Sequence, residues 1–63
     1  MYYINKKINF DNQTKAAEEI GIAKETLSRI LNGKVGTTKI TAYSIVKHYD
    51  KRAKIEDYFK KGE

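Results

Sequence analysis

The chain contains no cysteine and no proline, a single histidine, and no long apolar run. Without cysteine, neither a disulfide nor a thiolate metal site can help stabilise it. His48 alone cannot build a metal cluster, so no metal or other cofactor is expected. With proline absent, nothing forces a break inside a helical stretch. No segment approaches the roughly 20 apolar residues of a membrane span. The opening residues MYYINKK also lack the apolar run of a signal peptide. A soluble, cytoplasmic protein that binds neither membrane nor small molecule is expected. No nucleophile–base pair sits on a rigid turn and no phosphate-binding glycine loop is present, so enzymatic activity is not expected either.

Sixty-three residues make one domain, residues 1–63, near the lower limit for a core that folds without staples. Stabilisation must come from helix packing, supplemented by dimerisation. Thirteen Lys and Arg against eight Asp and Glu leave a net charge of +5, which favours a polyanionic partner through the summed field. The simpler alternative is that the charge only keeps a small protein soluble.

The stretch Gln13 to Gly33, QTKAAEEIGIAKETLSRILNG, reads as helix, tight turn, helix. Ala16, Ala17 and Ile20 form one apolar stripe, closed at once by Gly21. Leu27, Ile30 and Leu31 form a second, which runs into the stop signal Asn32-Gly33. Ala17 is small enough to let the second helix cross nearby, Gly21 can supply positive φ in the turn, and Ile22 fills the angle between the helices. The face of the second helix left free by packing carries Lys24, Glu25, Thr26, Ser28 and Arg29. Within this stretch Lys15, Lys24 and Arg29 are balanced by Glu18, Glu19 and Glu25. The excess of positive charge lies outside, at Lys6, Lys7, Lys34, Lys39 and from Lys47 onward.

Asn12 is a good N-cap for the first of these helices, whereas Ala23 is a poor one for the second, by about 1 kcal/mol. Glu25 recovers part of that loss by facing the positive helix end. Thr37 or Thr38 caps a longer helix, about Thr38 to Tyr49, whose apolar positions Ile40, Ala42, Tyr43, Ile45, Val46 and Tyr49 are expected in the core. Ala53 to Lys60 suggests a short final helix that buries Ile55, Tyr58 and Phe59 on the same domain or against a second chain. At the N-terminus, Tyr3 to Asn9 fits a short helix, and Tyr2, Ile4, Ile8 and Phe10 fit an alternating strand almost as well. A helix is expected, because a single strand has no obvious mate. The fold class is then all-α, a compact bundle of about five short helices.

These residues resemble the phage-repressor and Cro type of helix-turn-helix, the Xre family, over roughly Asn12 to Tyr49. The similarity rests on Asn12-Gln13 at the opening, Ala17, Gly21 four positions on, Leu27 and Ile30, the closing Leu31-Asn32-Gly33, and the apolar spacing of TAYSIVKHY. Two features depart from the family: Ala23 stands where serine or threonine is usual, and the N-terminal segment is short and poor in helix formers.

The resemblance implies a lambda-repressor-like domain whose helix from Lys24 to Leu31 enters the major groove of double-stranded DNA. Lys24, Glu25, Thr26, Ser28 and Arg29 would face the bases. Arg29 and Lys24 suit guanine acceptors, Glu25 a cytosine amino group, and Thr26 a thymine methyl or a phosphate. The simpler role for Glu25 and Arg29 is an intrahelical ion pair at i, i+4. Gln13, Asn32, Lys34, Thr37, Thr38 and Lys39, at helix starts and adjoining loops, would hold phosphates. Lys51, Arg52 and Lys54 fit flanking DNA or, more simply, a solvated surface. The expected function is a Cro-like repressor of phage or mobile-element origin, acting by occupancy and binding a palindromic operator as a homodimer. The alternative is a protein-interaction module of the same fold, an antirepressor or polymerase-binding protein, with its basic surface meeting an acidic partner and Tyr58-Phe59 as the anchor.

Overall fold

Asn12 starts the first helix of the computed structural model, which describes residues 1–62. Its backbone is extended, and its Oδ1 accepts from the Lys15 N–H at 3.0 Å, satisfying one of the donors that a helix start leaves free. Helix α1 spans Gln13–Ile20 and ends on Gly21, whose φ of 93° places it in the left-handed region. There the N–H groups of Gly21 and Ile22 both donate to the Ala17 carbonyl, at 2.8 and 3.0 Å. Helix α2 follows at Lys24–Leu31. Its end is closed by Gly33, φ 75°, with the Gly33 N–H donating to the Ile30 carbonyl and the Lys34 N–H to the Arg29 carbonyl. This pair of reversed bonds is the usual glycine-terminated helix stop.

Helix α3 spans Lys39–Tyr49 and is capped by Thr38, not Thr37; Thr38 Oγ1 accepts from the Thr41 N–H at 3.4 Å. Ala17, Leu27, Ile30, Ala42, Ile45 and Val46 are all buried. They form one apolar cluster with Ile8, Ala16, Ala53, Ile55 and Phe59, and Ile22 packs against its edge. Among the described residues no helix is long and apolar enough to cross a membrane.

Both ends of the chain depart from the all-α expectation. The described residues form four helices and a two-stranded antiparallel sheet rather than five helices. Strand β1 (Tyr2–Ile4) replaces the helix expected over Tyr3 to Asn9. Helix α4 is a single turn, Ile55–Tyr58, followed by strand β2 (Phe59–Lys61), where a helix reaching Lys60 was expected.

The strand does have a mate, the far end of the chain: Tyr2 lies opposite Lys61, Tyr3 opposite Lys60 and Ile4 opposite Phe59. On its other side β1 exchanges two backbone bonds with Thr37, Tyr2 N–H to Thr37 carbonyl at 2.7 Å and the reverse at 2.8 Å. Its backbone is thus satisfied by two segments distant in sequence, which no local pattern discloses. The outer face of this ribbon is shaped by glycine. A Cβ on Gly36 would lie 2.8 Å from the Tyr3 ring and one on Gly62 2.5 Å from it, so the ring lies across both backbones.

The buried arc of α3 is narrower than its apolar residues suggest. Ala42, Ile45 and Val46 face the core, but Ile40 is 80% exposed and Tyr43 53%. At about 100° per residue, Ile40 lies about 200° from Ala42, and Tyr43 about 200° from Ile45. Tyr49, also expected in the core, is 40% exposed. It sits edge-on between Phe10 and Tyr58, with ring centroids 5.6 and 5.7 Å away, and so ties the N-terminal segment to α4. The final apolar face packs within the chain: Ile55 and Phe59 are buried and Tyr58 is half-buried.

Candidate nucleic-acid interface

Packing determines which side of α2 is free. Leu27 and Ile30 are buried beneath it, while Lys24, Glu25, Thr26 and Arg29 are exposed and Ser28 is half-buried. Lys24, Glu25, Ser28 and Arg29 line an open concavity of about 570 Å³ together with Gln13, the first residue of α1. The α1–α2 turn brings Gln13 there. With Gly21 turning the chain through positive φ, α1 packs on α2 and its start reaches the exposed face of the second helix.

The concavity therefore unites four of the five residues expected to face bases with one expected to hold phosphate. Thr26 is exposed but does not line it. Lys24 and Arg29 against Glu25 leave it with a net charge of +1 (two bases less one acid). Among the described residues no Lys or Arg forms an ion pair, and His48 Nε2 lies 3.8 Å from a Glu19 carboxylate oxygen. Glu25 and Arg29 are not joined, so the guanidinium is not held by its own helix.

At the far end of α2, Asn32 Nδ2 donates to Ser28 Oγ at 3.3 Å. The expected backbone-holding residue is thus linked to the expected base-facing one. Lys34, Thr38 and Lys39 are exposed beyond this end. Thr38 is engaged as the α3 cap and donates its hydroxyl to Thr41 Oγ1 at 3.2 Å. Thr37 does not fit the phosphate role expected for it. Its side chain is buried, 8% exposed, and its N–H and carbonyl are both bonded to Tyr2.

Lys47 is also engaged within the chain. Its ammonium donates to the carbonyls of Ala53 at 2.7 Å and Lys51 at 3.3 Å, closing the α3–α4 turn. Lys51, Arg52 and Lys54 are exposed on that turn. Neither the Lys47 cap nor the Ser28–Asn32 bond was foreseen from the sequence. The i, i+4 spacing of Ser28 and Asn32 was the available signal.

Two helices at a glycine-closed turn, the second presenting a polar face beside the start of the first, are the geometry of a helix-turn-helix. A helix-turn-helix family model, of the Xre and Cro-like kind, matches residues 12–55, more than half of the chain. The chain belongs to this DNA-binding family. The match covers α1 to α3 and ends at Ile55, so both strands lie outside it. Neither a curated protein nor a solved structure matches the chain. As a member of this family the protein is a DNA-binding regulator whose partner is double-stranded DNA.

Proposed function

We propose that the protein is a sequence-specific transcriptional repressor of the Cro-like kind, from a phage or mobile element, that reads the major groove with α2. The observation that carries this reading is the convergence of Gln13, Lys24, Glu25, Ser28 and Arg29 on one open concavity. Arg29, unpaired within its helix, bonds both acceptors of a guanine edge, and Lys24 takes a second guanine. Glu25 accepts from a cytosine amino group. Ser28, anchored by Asn32, and Thr26 meet neighbouring base edges. Gln13, Asn32, Lys34, Thr38 and Lys39 grip the backbone on either side of the reading helix, where helix starts and free N–H groups favour anions.

One such helix specifies few base pairs, so the operator is a palindrome bound by two copies about one helical turn apart. A repressor of this kind acts in the cytoplasm by occupying its operator against polymerase or a competing repressor.

The test is selection from a random duplex pool, run side by side for the wild type and Arg29→Ala. A palindromic consensus that the mutant fails to enrich is expected; a pool left unenriched by the wild type would overturn the reading. Binding to arbitrary duplex should fall with salt at a log–log slope of about −5 for roughly six phosphate contacts. A flat line would remove DNA as the partner.

A further inference from the structure

We propose that the outward face of α3 is a docking surface for an acidic amphipathic helix of another protein. Ile40 and Tyr43 are three residues apart, hence on one face, and are 80% and 53% exposed. The Lys47 ammonium lies over the Tyr43 ring, 5.4 Å from its centroid, and extends the face by one turn. Lys39 borders Ile40 at the other end. Helix α3, KITAYSIVKHY, carries no Asp or Glu at all.

The fold makes little use of Ile40, since Ala42, Ile45 and Val46 supply the buried side of this helix. Apolar side chains rimmed by charge mark a surface for a partner, and three partners are conceivable. DNA backbone is held by charged and polar groups, to which an exposed isoleucine adds nothing. A second copy related by a two-fold axis would bring Lys39 and Lys47 of both chains together with no acid on either helix to offset them.

What remains is a helix presenting aliphatic or aromatic residues at i and i+3 or i+4 with Asp and Glu beside them. Its apolar stripe covers Ile40 and Tyr43 and its carboxylates face Lys39 and Lys47. The earlier candidate for a protein anchor, Tyr58-Phe59, is unsuitable, because Phe59 is only 2% exposed. Neither Ile40 nor Tyr43 lines the concavity beside α2, so this face adjoins the residues proposed to hold DNA only at Lys39.

The test is an amide chemical-shift titration of the isotope-labelled protein with a synthetic amphipathic peptide of leucine and glutamate. A matched peptide with lysine for glutamate is the control. Saturable shifts centred on residues 39–47 are expected with the acidic peptide alone. Ile40→Ser, neutral and fully at the surface, should weaken them about tenfold or more while leaving duplex-DNA affinity unchanged. The proposal fails if millimolar acidic peptide produces no saturable shift, or if the basic peptide binds equally well. An equal loss of DNA affinity in Ile40→Ser would assign the face to DNA instead. A wild-type dimer in sedimentation equilibrium that Ile40→Ser dissolves would assign it to a second copy.

Discussion

Of the three helices that carry the core, two have a filled N-cap and one does not. Asn12 and Thr38 each accept a backbone N–H with a side-chain oxygen, whereas Ala23 offers none to α2. The Ala23 backbone is nevertheless at φ −69°, ψ 146°, extended as a cap requires, and its side chain is exposed. Ala23→Ser should therefore place a hydroxyl within reach of the Glu25 or Thr26 N–H without strain and without burying a polar group. The expected gain is about 1 kcal/mol, or about 4–8 °C in Tm for a domain of this size.

Thermal and urea unfolding followed by circular dichroism measure it, with an unchanged urea slope as the check that only stability has moved. Asn12→Ala should lose about 1 kcal/mol. Thr38→Ala should lose less than that, because its 3.4 Å bond is long and its hydroxyl is shared with Thr41. If Ala23→Ser were no more stable than the wild type while Asn12→Ala lost stability as stated, the start of α2 would already be satisfied, and the reasoning would be wrong.

Three further outcomes test the ends and turns of the fold. Phe59→Ala empties a buried site opposite Ile4 and should cost about 3–5 kcal/mol. A chain this short has about 3–9 kcal/mol in all, so urea melts should show a third or more of its stability gone; a loss below about 1 kcal/mol would mean that β2 does not pack as described. Gly21→Ala meets no atom within 4 Å, so its whole cost is the φ of 93°, about 1–2 kcal/mol by chemical denaturation. A neutral result would place Gly21 outside the left-handed region. Gly33→Ala, at φ 75° and with only an ordinary contact to an Ile4 methyl at 3.7 Å, should behave alike. A cost several times larger would point to a clash rather than strain.

The exposed face of α2 was legible because helix-turn-helix packing is local. Leu27 and Ile30 dictate which side of α2 is buried, and Lys24, Glu25, Thr26 and Arg29 are then exposed by elimination, with Ser28 half-buried. Gln13 joined them only in three dimensions, since the turn at Gly21 decides how close the start of α1 comes to α2. Thr37 was expected to hold phosphate because it stands at the start of α3, yet it is held by Tyr2, 35 residues earlier.

The amino-acid sequence by itself determined α1, the turn, α2 and α3, with boundaries that follow Asn12, Gly21, Asn32-Gly33 and Thr38. Caps, glycine stops and a 3.6-residue apolar period act within a few residues and need nothing from elsewhere in the chain. Tertiary structure decided the two ends. Tyr2 to Ile4 has strand-like and helix-like spacings of nearly equal merit, and Phe59 to Lys61 continues a helical pattern. The deciding energy is the pairing of one with the other and with Thr37. Those bonds, and the burial of Phe59 that accompanies them, exist only once α1, α2 and α3 have brought the termini together. Tertiary structure decided the arc of α3 as well, leaving Ile40 and Tyr43 outside because Ala42, Ile45 and Val46 already fill the space against α1 and α4.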